Sequence, residues 1–220
     1  MLDQALFALL HVLVFVYWLG GDLGAFYTSH FLTRPNVNAD RRLMAAQIVG
    51  DVDMAPRTAL ILMLPTGLLL AESKAWLSLG WPLLIVIVIV SLVWLALAWK
   101  LHTSGPSASA WMKPVDTLFR YAMILGLVGV GLASVFGAIG LPLFIALKCL
   151  ALAGCVALGL LIRVVLKPLG PSLMSLNGPN AASAEADLAL TLQRARPLVM
   201  GIWALLLIAA FLGLWTPTSF

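Results

Sequence analysis

Charge is scarce in this sequence: Asp, Glu, Lys and Arg make up 10% of its 220 residues, against roughly 25% in soluble domains. So little charge cannot cover a water-facing surface, and a soluble globular domain is excluded. Cysteine is scarcer still, at two residues. Cys149 and Cys155 lie six positions apart in one apolar run, so they point in different directions around a helix and make neither a disulfide framework nor a thiol metal pair. There is no His-Glu-x-x-His, no Gly-rich nucleotide loop and no Gly-x-Ser-x-Gly, which leaves zincin, nucleotide-loop and serine-hydrolase chemistry without a motif. Basic residues outnumber acidic ones by 13 to 9, for a net charge of +4. They sit in short connections between apolar runs, where they bias membrane orientation, and nucleic-acid binding is rejected.

What the sequence has in abundance is apolar surface: 62% of residues are hydrophobic and the mean hydropathy is +1.06. The expected fold is all-α, a single polytopic membrane bundle in contact with the lipid bilayer. Six segments reach the roughly 20 residues that a crossing needs, near residues 4–28, 54–71, 82–101, 118–138, 141–166 and 197–215. The first carries Asp3 where a signal peptide has a basic start and continues into Gly20-Gly21-Asp22, so it reads as a retained helix. Pro65 interrupts the second, where a kink is expected. Arg34, Arg41, Arg42, Arg57, Lys100, Lys113, Arg120, Arg163, Lys167, Arg194 and Arg196 all fall on one side, with Lys74 on the other. By the positive-inside rule both termini face away from the cytoplasm.

Two basic-side connections have helical character of their own. Asn38 caps a short helix expected to end at Gly50, and Asn180 or Ser183 caps one running through Leu188, Leu190 and Leu192. These read as amphipathic connectors on the membrane surface, with docking of a partner as the alternative. Residues 168–179, rich in Gly, Pro, Ser and Asn, read as a flexible loop.

The chain also repeats itself. Asp53 and Arg57 open the second span as Asp116 and Arg120 open the fourth, 63 residues on, and Gly80-Trp81-Pro82 is echoed by Gly140-Leu141-Pro142, 60 residues on. Equivalent helices then run in the same direction, as a parallel helix-pair repeat. Small-residue ridges at Gly129, Ala133 and Gly137 and at Ala151, Cys155 and Gly159 suggest close helix packing. Tryptophans near span ends, from Trp76 and Trp81 through Trp94, Trp99 and Trp111 to Trp203 and Trp215, fit an interfacial belt.

Ionisable residues inside spans are expensive unless paired or functional. His11, Phe15, Trp18 and Asp22 fall in one stripe of the first helix. Asp22 lies near the depth of Arg57 and Arg120, so an interhelical ion pair is expected there, with a water-exposed carboxylate or a proton- or ion-handling group as alternatives. Lys148 lies in the fifth span. At a rise of about 1.5 Å per residue, His11 and Lys148 both sit roughly 10 Å from the ends opposite the arginines. An imidazole or a neutral amine can ligate haem iron, and a lysine can pair with a propionate or an anionic substrate. Equally, Lys148 can snorkel outward and His11 can be a hydrogen-bonded packing residue. His30 and His102 lie near the basic ends of their helices, where water or headgroups can satisfy them.

His11 with Trp18-Leu19-Gly20, Phe26-Tyr27-Thr28-Ser29-His30-Phe31, Arg41-Arg42-Leu43, Pro65-Thr66-Gly67-Leu68, Gly80-Trp81 and Leu147-Lys148 together resemble the HemJ and CopD group of bacterial membrane proteins, over about half the chain. The resemblance implies a bacterial inner-membrane location. It also implies haem b as cofactor, with His11 as the metal ligand and Lys148 as the second cofactor-binding residue, and protoporphyrinogen oxidation as the activity on the HemJ side. Two departures stand beside it. HemJ-like proteins have fewer helices, and their Leu-Pro-Arg element is replaced here by Asp22-Leu23-Gly24. The expectation is a membrane oxidoreductase serving electron transfer or porphyrin-linked oxidation, with a redox partner or a second copy as its company. The alternatives are a copper- or ion-handling transporter, although the eight methionines form no Met-x-x-Met cluster, and a non-enzymatic assembly or anchor subunit.

Overall fold

The computed structural model describes residues 2–217, and among these there is no strand. Eight α-helices follow one another: α1 (Leu2–Ser29), α2 (Ala39–Val52), α3 (Met54–Ser73), α4 (Trp81–Ser104), α5 (Met112–Val135), α6 (Leu143–Val165), α7 (Leu169–Met174) and α8 (Ala181–Trp215). Six helical stretches are long and apolar enough to cross a bilayer, and the protein is an integral, multi-pass membrane protein. The spans pack in a closed order: α1 on α3, α3 on α4, α4 on α5, α5 on α6, α6 on α8, and α8 back on α1. Val14, Trp18, Ala59, Ile61, Trp94, Cys155, Val156, Ile202 and Leu206 fill the middle. Large apolar side chains such as Leu83, Ile85, Val86, Ile89 and Val90 of α4 are left uncovered by protein and face lipid.

Local sequence explains most boundaries. Gly80, at φ +80°, turns the chain into α4, and Pro82 occupies the first turn, where its missing N–H costs nothing. Gly137, at φ +78°, lies just beyond the end of α5, in a conformation that favours glycine. The expected kink at Pro65 does not divide α3, which runs through the proline unbroken. α5 begins at Met112 rather than near 118, because Pro114 is tolerated in a first turn. Asp116 and Arg120 therefore lie about one and two turns inside the helix.

Two expectations are corrected at the arginine-rich end. Pro197 does not separate an amphipathic connector from the last span: α8 is one helix of 35 residues, since a single proline removes only one main-chain bond. Residues 168–179 are not a structureless loop, because α7 and a 3-10 turn over Ser175–Asn177 occupy most of them. α2 starts as expected, with the Asn38 side chain accepting from the Arg41 N–H at 3.1 Å, but it runs past Gly50 to Val52. Asn180 precedes α8 without a side-chain cap.

The connectors also pack on one another. Leu32, Ala45, Leu173, Leu188 and Leu192 form a second core, in which burying each leucine contributes about 1.5–3 kcal/mol. Arg42 ties this cap together. Its Nε donates to the Val37 carbonyl and its Nη2 to the Arg34 carbonyl, both at 2.9 Å, and its Nη1 meets Glu185 of α8 at 2.9 Å. Arg42→Ala leaves two carbonyls without their donor, at about 1–3 kcal/mol each. The expected outcome is faster proteolysis at residues 34–38, with the spans still folded by circular dichroism.

Candidate functional site at the outer ends of α1, α3, α6 and α8

His11 is placed by the tight seam between α1 and α3. A Cβ on Gly67 would lie 3.1 Å from His11 Cε1, so a side chain there would push the imidazole a few tenths of an ångström away from α3. One residue earlier, Thr66 Oγ is 3.0 Å from His11 Nδ1 and only 2.7 Å from the Leu62 carbonyl. The short bond to Leu62 engages the hydroxyl hydrogen, so His11 Nδ1 carries the hydrogen of the second bond and the Thr66 oxygen accepts it. The Nε2 lone pair is then left free. Orientation of a ligand imidazole through its other nitrogen is the usual supporting arrangement in metal sites.

Lys148 enters from α6. A Cβ on Gly213 would fall 2.5 Å from its Nζ, so the amine rests against the α8 backbone. The same nitrogen lies 5.9 Å from the centre of the Phe144 ring. His11 thus lies nine residues into α1 and Lys148 five residues into α6. Phe144 is held in turn by Trp76, edge-on at 4.9 Å, and its N–H donates to the Pro217 carbonyl at 3.0 Å. Thr66, Gly67 and Gly213 escaped the sequence reading as site residues; Thr66 and Gly67 were visible only as part of Pro65-Thr66-Gly67-Leu68.

An imidazole is a donor that haem iron takes, and Lys148 brings an amine from another helix. Among the described residues there is no group of three His, Cys, Asp or Glu able to hold a metal ion, so a site of that composition for copper is not assembled.

At the opposite end, the expected pairing of Asp22 with Arg57 or Arg120 is not formed. Each arginine takes the aspartate one turn before it instead: Arg57 Nε donates to Asp53 Oδ2 at 2.6 Å, and Arg120 Nε to Asp116 Oδ2 at 3.1 Å. A partner four residues back along the chain is already in place, which costs less ordering than reaching across to α1. Asp116 also accepts from Arg163 Nη1 at 2.7 Å and from the Trp94 indole at 2.8 Å. Trp94 is therefore a buried structural donor and not part of an interfacial belt. His102 Nε2 lies 3.1 Å from Asp51, and His30 Nδ1 lies 3.0 Å from the Phe26 carbonyl.

Of the two ridges, Ala151 and Cys155 are buried as close packing requires, but the glycines are not at contacts. A Cβ on Gly129, Gly137 or Gly159 would meet nothing, whereas one on Gly131 would lie 2.8 Å from Leu150. Gly21 is tighter, with Ala55 Cβ and Pro56 Cδ each 2.7 Å from a Cβ built there. Gly21→Ala should overpack the α1–α3 seam and cost about 1–3 kcal/mol, read as a lower denaturation midpoint in detergent, while Gly129→Ala leaves the midpoint unchanged. No family model matches this chain, and no curated protein or solved structure matches it.

Proposed function

We propose that this membrane protein binds haem b at the end of the bundle opposite the arginines and works in electron transfer or porphyrin-linked oxidation. His11 would hold the haem iron, and Lys148 would be either a second ligand or the counter-charge to a propionate. The observation that carries this reading is the Thr66 hydrogen bond, which turns the His11 ring so that Nε2 keeps its lone pair inside an apolar span. Haem b would supply one-electron redox chemistry; the chain supplies the ligand, holds its tautomer through Thr66, and holds Lys148 against the Gly213 notch. In this reading the basic end faces the cytoplasm of a bacterial cell, both termini lie on the periplasmic side of the inner membrane, and the site opens toward a redox partner or a second copy.

The test is an absorption spectrum of the purified protein, with a pyridine haemochrome assay to identify the porphyrin. A Soret band with haem b stoichiometry supports the assignment. A colourless protein purified from haem-replete cells overturns it.

A further inference from the structure

We propose that Asp22 is a proton-binding site within the spans, separate from the His11 site, and that Trp203 is the donor that receives its anion. Asp22 Oδ2 is buried without a hydrogen-bond partner, and so is Trp203 Nε1. The two side chains are neighbours across the seam between α1 and α8, with Trp18 one turn before Asp22 on α1. A buried carboxylate needs a counter-cation or several donors, and a buried indole N–H needs an acceptor. In the arrangement observed Asp22 Oδ2 and Trp203 Nε1 make no hydrogen bond, although Trp18 and Trp203 both stand near enough to Asp22 to donate to its anion. A neutral carboxyl has no need of a cation, and the ionised one offers an acceptor to Trp203. The pair therefore has a satisfactory arrangement on either side of one proton transfer: Asp22–COOH releases H⁺ to water, and the resulting carboxylate takes the indole hydrogen bond.

The surrounding charges leave Asp22 unpaired. Asp53, at the junction of α2 and α3, is the nearest carboxylate to bear on it, and Asp53 is engaged by Arg57. Arg120 and Arg163 are both held by Asp116. From α6 the Cys155 thiol lies 4.0 Å from the Ile202 carbonyl, beside Asp22. On α8, Arg196 stands two turns before Trp203 toward the basic end, with its Nε buried and unpartnered. Further along α1 the Phe26 ring packs edge-on to both Trp203 and His30, at 5.1 and 5.2 Å. Among the described residues no Lys, Arg or His lies within ion-pair distance of Asp22. The polar groups Asp22, Trp203 and Arg196 thus lead from the interior toward the basic end.

The test is labelling of the whole protein with dicyclohexylcarbodiimide, an apolar reagent that adds to protonated carboxyls away from water, mapped by peptide mass spectrometry. Label is expected on Asp22 and is lost in Asp22→Asn. Above its midpoint it falls about tenfold per pH unit, as for release of one proton. In Trp203→Phe, where the anion has lost its donor, the midpoint moves up by roughly one pH unit. A water-soluble carbodiimide is expected to label the exposed Asp51 and Glu185 and to spare Asp22. No label on Asp22 at any pH, label indifferent to pH, or equal labelling by the water-soluble reagent overturns the site. A midpoint unmoved in Trp203→Phe overturns the role of Trp203.

Discussion

Asp116→Ala is expected to cost about 3–5 kcal/mol, the penalty for leaving a buried charge without its partner. Three donors converge on this one carboxylate, from Trp94 of α4, Arg120 of α5 and Arg163 of α6. The side chains of Asp116 and Arg120 are each only 3% exposed, so solvent cannot replace what the mutation removes. Arg120 also sits over the Trp94 ring, 5.6 Å from its centre, and Trp94 stacks on Phe119 at 5.5 Å. Loss of the carboxylate should loosen the contacts of α5 with α4 and α6 together. Asp53→Ala provides the contrast. Its pair with Arg57 uses the same spacing, but the two side chains are 35% and 40% exposed, and such pairs are worth about 0.2–1 kcal/mol. Denaturant titrations in detergent, followed by circular dichroism, measure both. Equal losses for the two variants would show that the burial difference has no energetic consequence.

The second large effect is on colour. His11→Ala should abolish the Soret band of the purified protein while leaving its helix content unchanged. Thr66→Val removes the hydrogen bond that sets the tautomer, at nearly constant volume, and should weaken haem retention by about 10–100-fold. Thr66→Ser keeps the hydroxyl and should restore it. This ordering separates a ligand from a packing residue. Were His11 only packed against Gly67, its loss would lower stability, and a Thr66 variant would change no spectrum. Haem retained at full stoichiometry in His11→Ala would move the ligand elsewhere in the chain.

The spans were legible in the sequence because a hydrocarbon environment demands a long apolar run, and composition alone reports it. That is why Trp81–Ser104 and Leu143–Val165 lie within a few residues of their expected bounds. Where a boundary was placed at a proline, the sequence was ambiguous: Pro197 removes one main-chain bond, and whether a helix survives that depends on neighbours. The cap at the basic end was legible only as separate amphipathic pieces. Nothing local says that Leu32 and Leu188 bury each other.

By itself, the sequence determined that this is a helical membrane protein with six apolar spans, with His11 in the first, Lys148 in the fifth and arginines gathered at one end. These follow from length, hydropathy and spacing along single helices. Tertiary structure alone decided the partners. It set His11 against Thr66 and Gly67 and Lys148 against Gly213, gave Asp116 two arginines and a tryptophan, and left Asp22 beside Trp203 with no cation. The physical reason is that an ion pair or hydrogen bond is chosen by separations of about 3 Å between helices, and helix periodicity fixes direction around one axis but carries no information about which other axis comes to lie beside it.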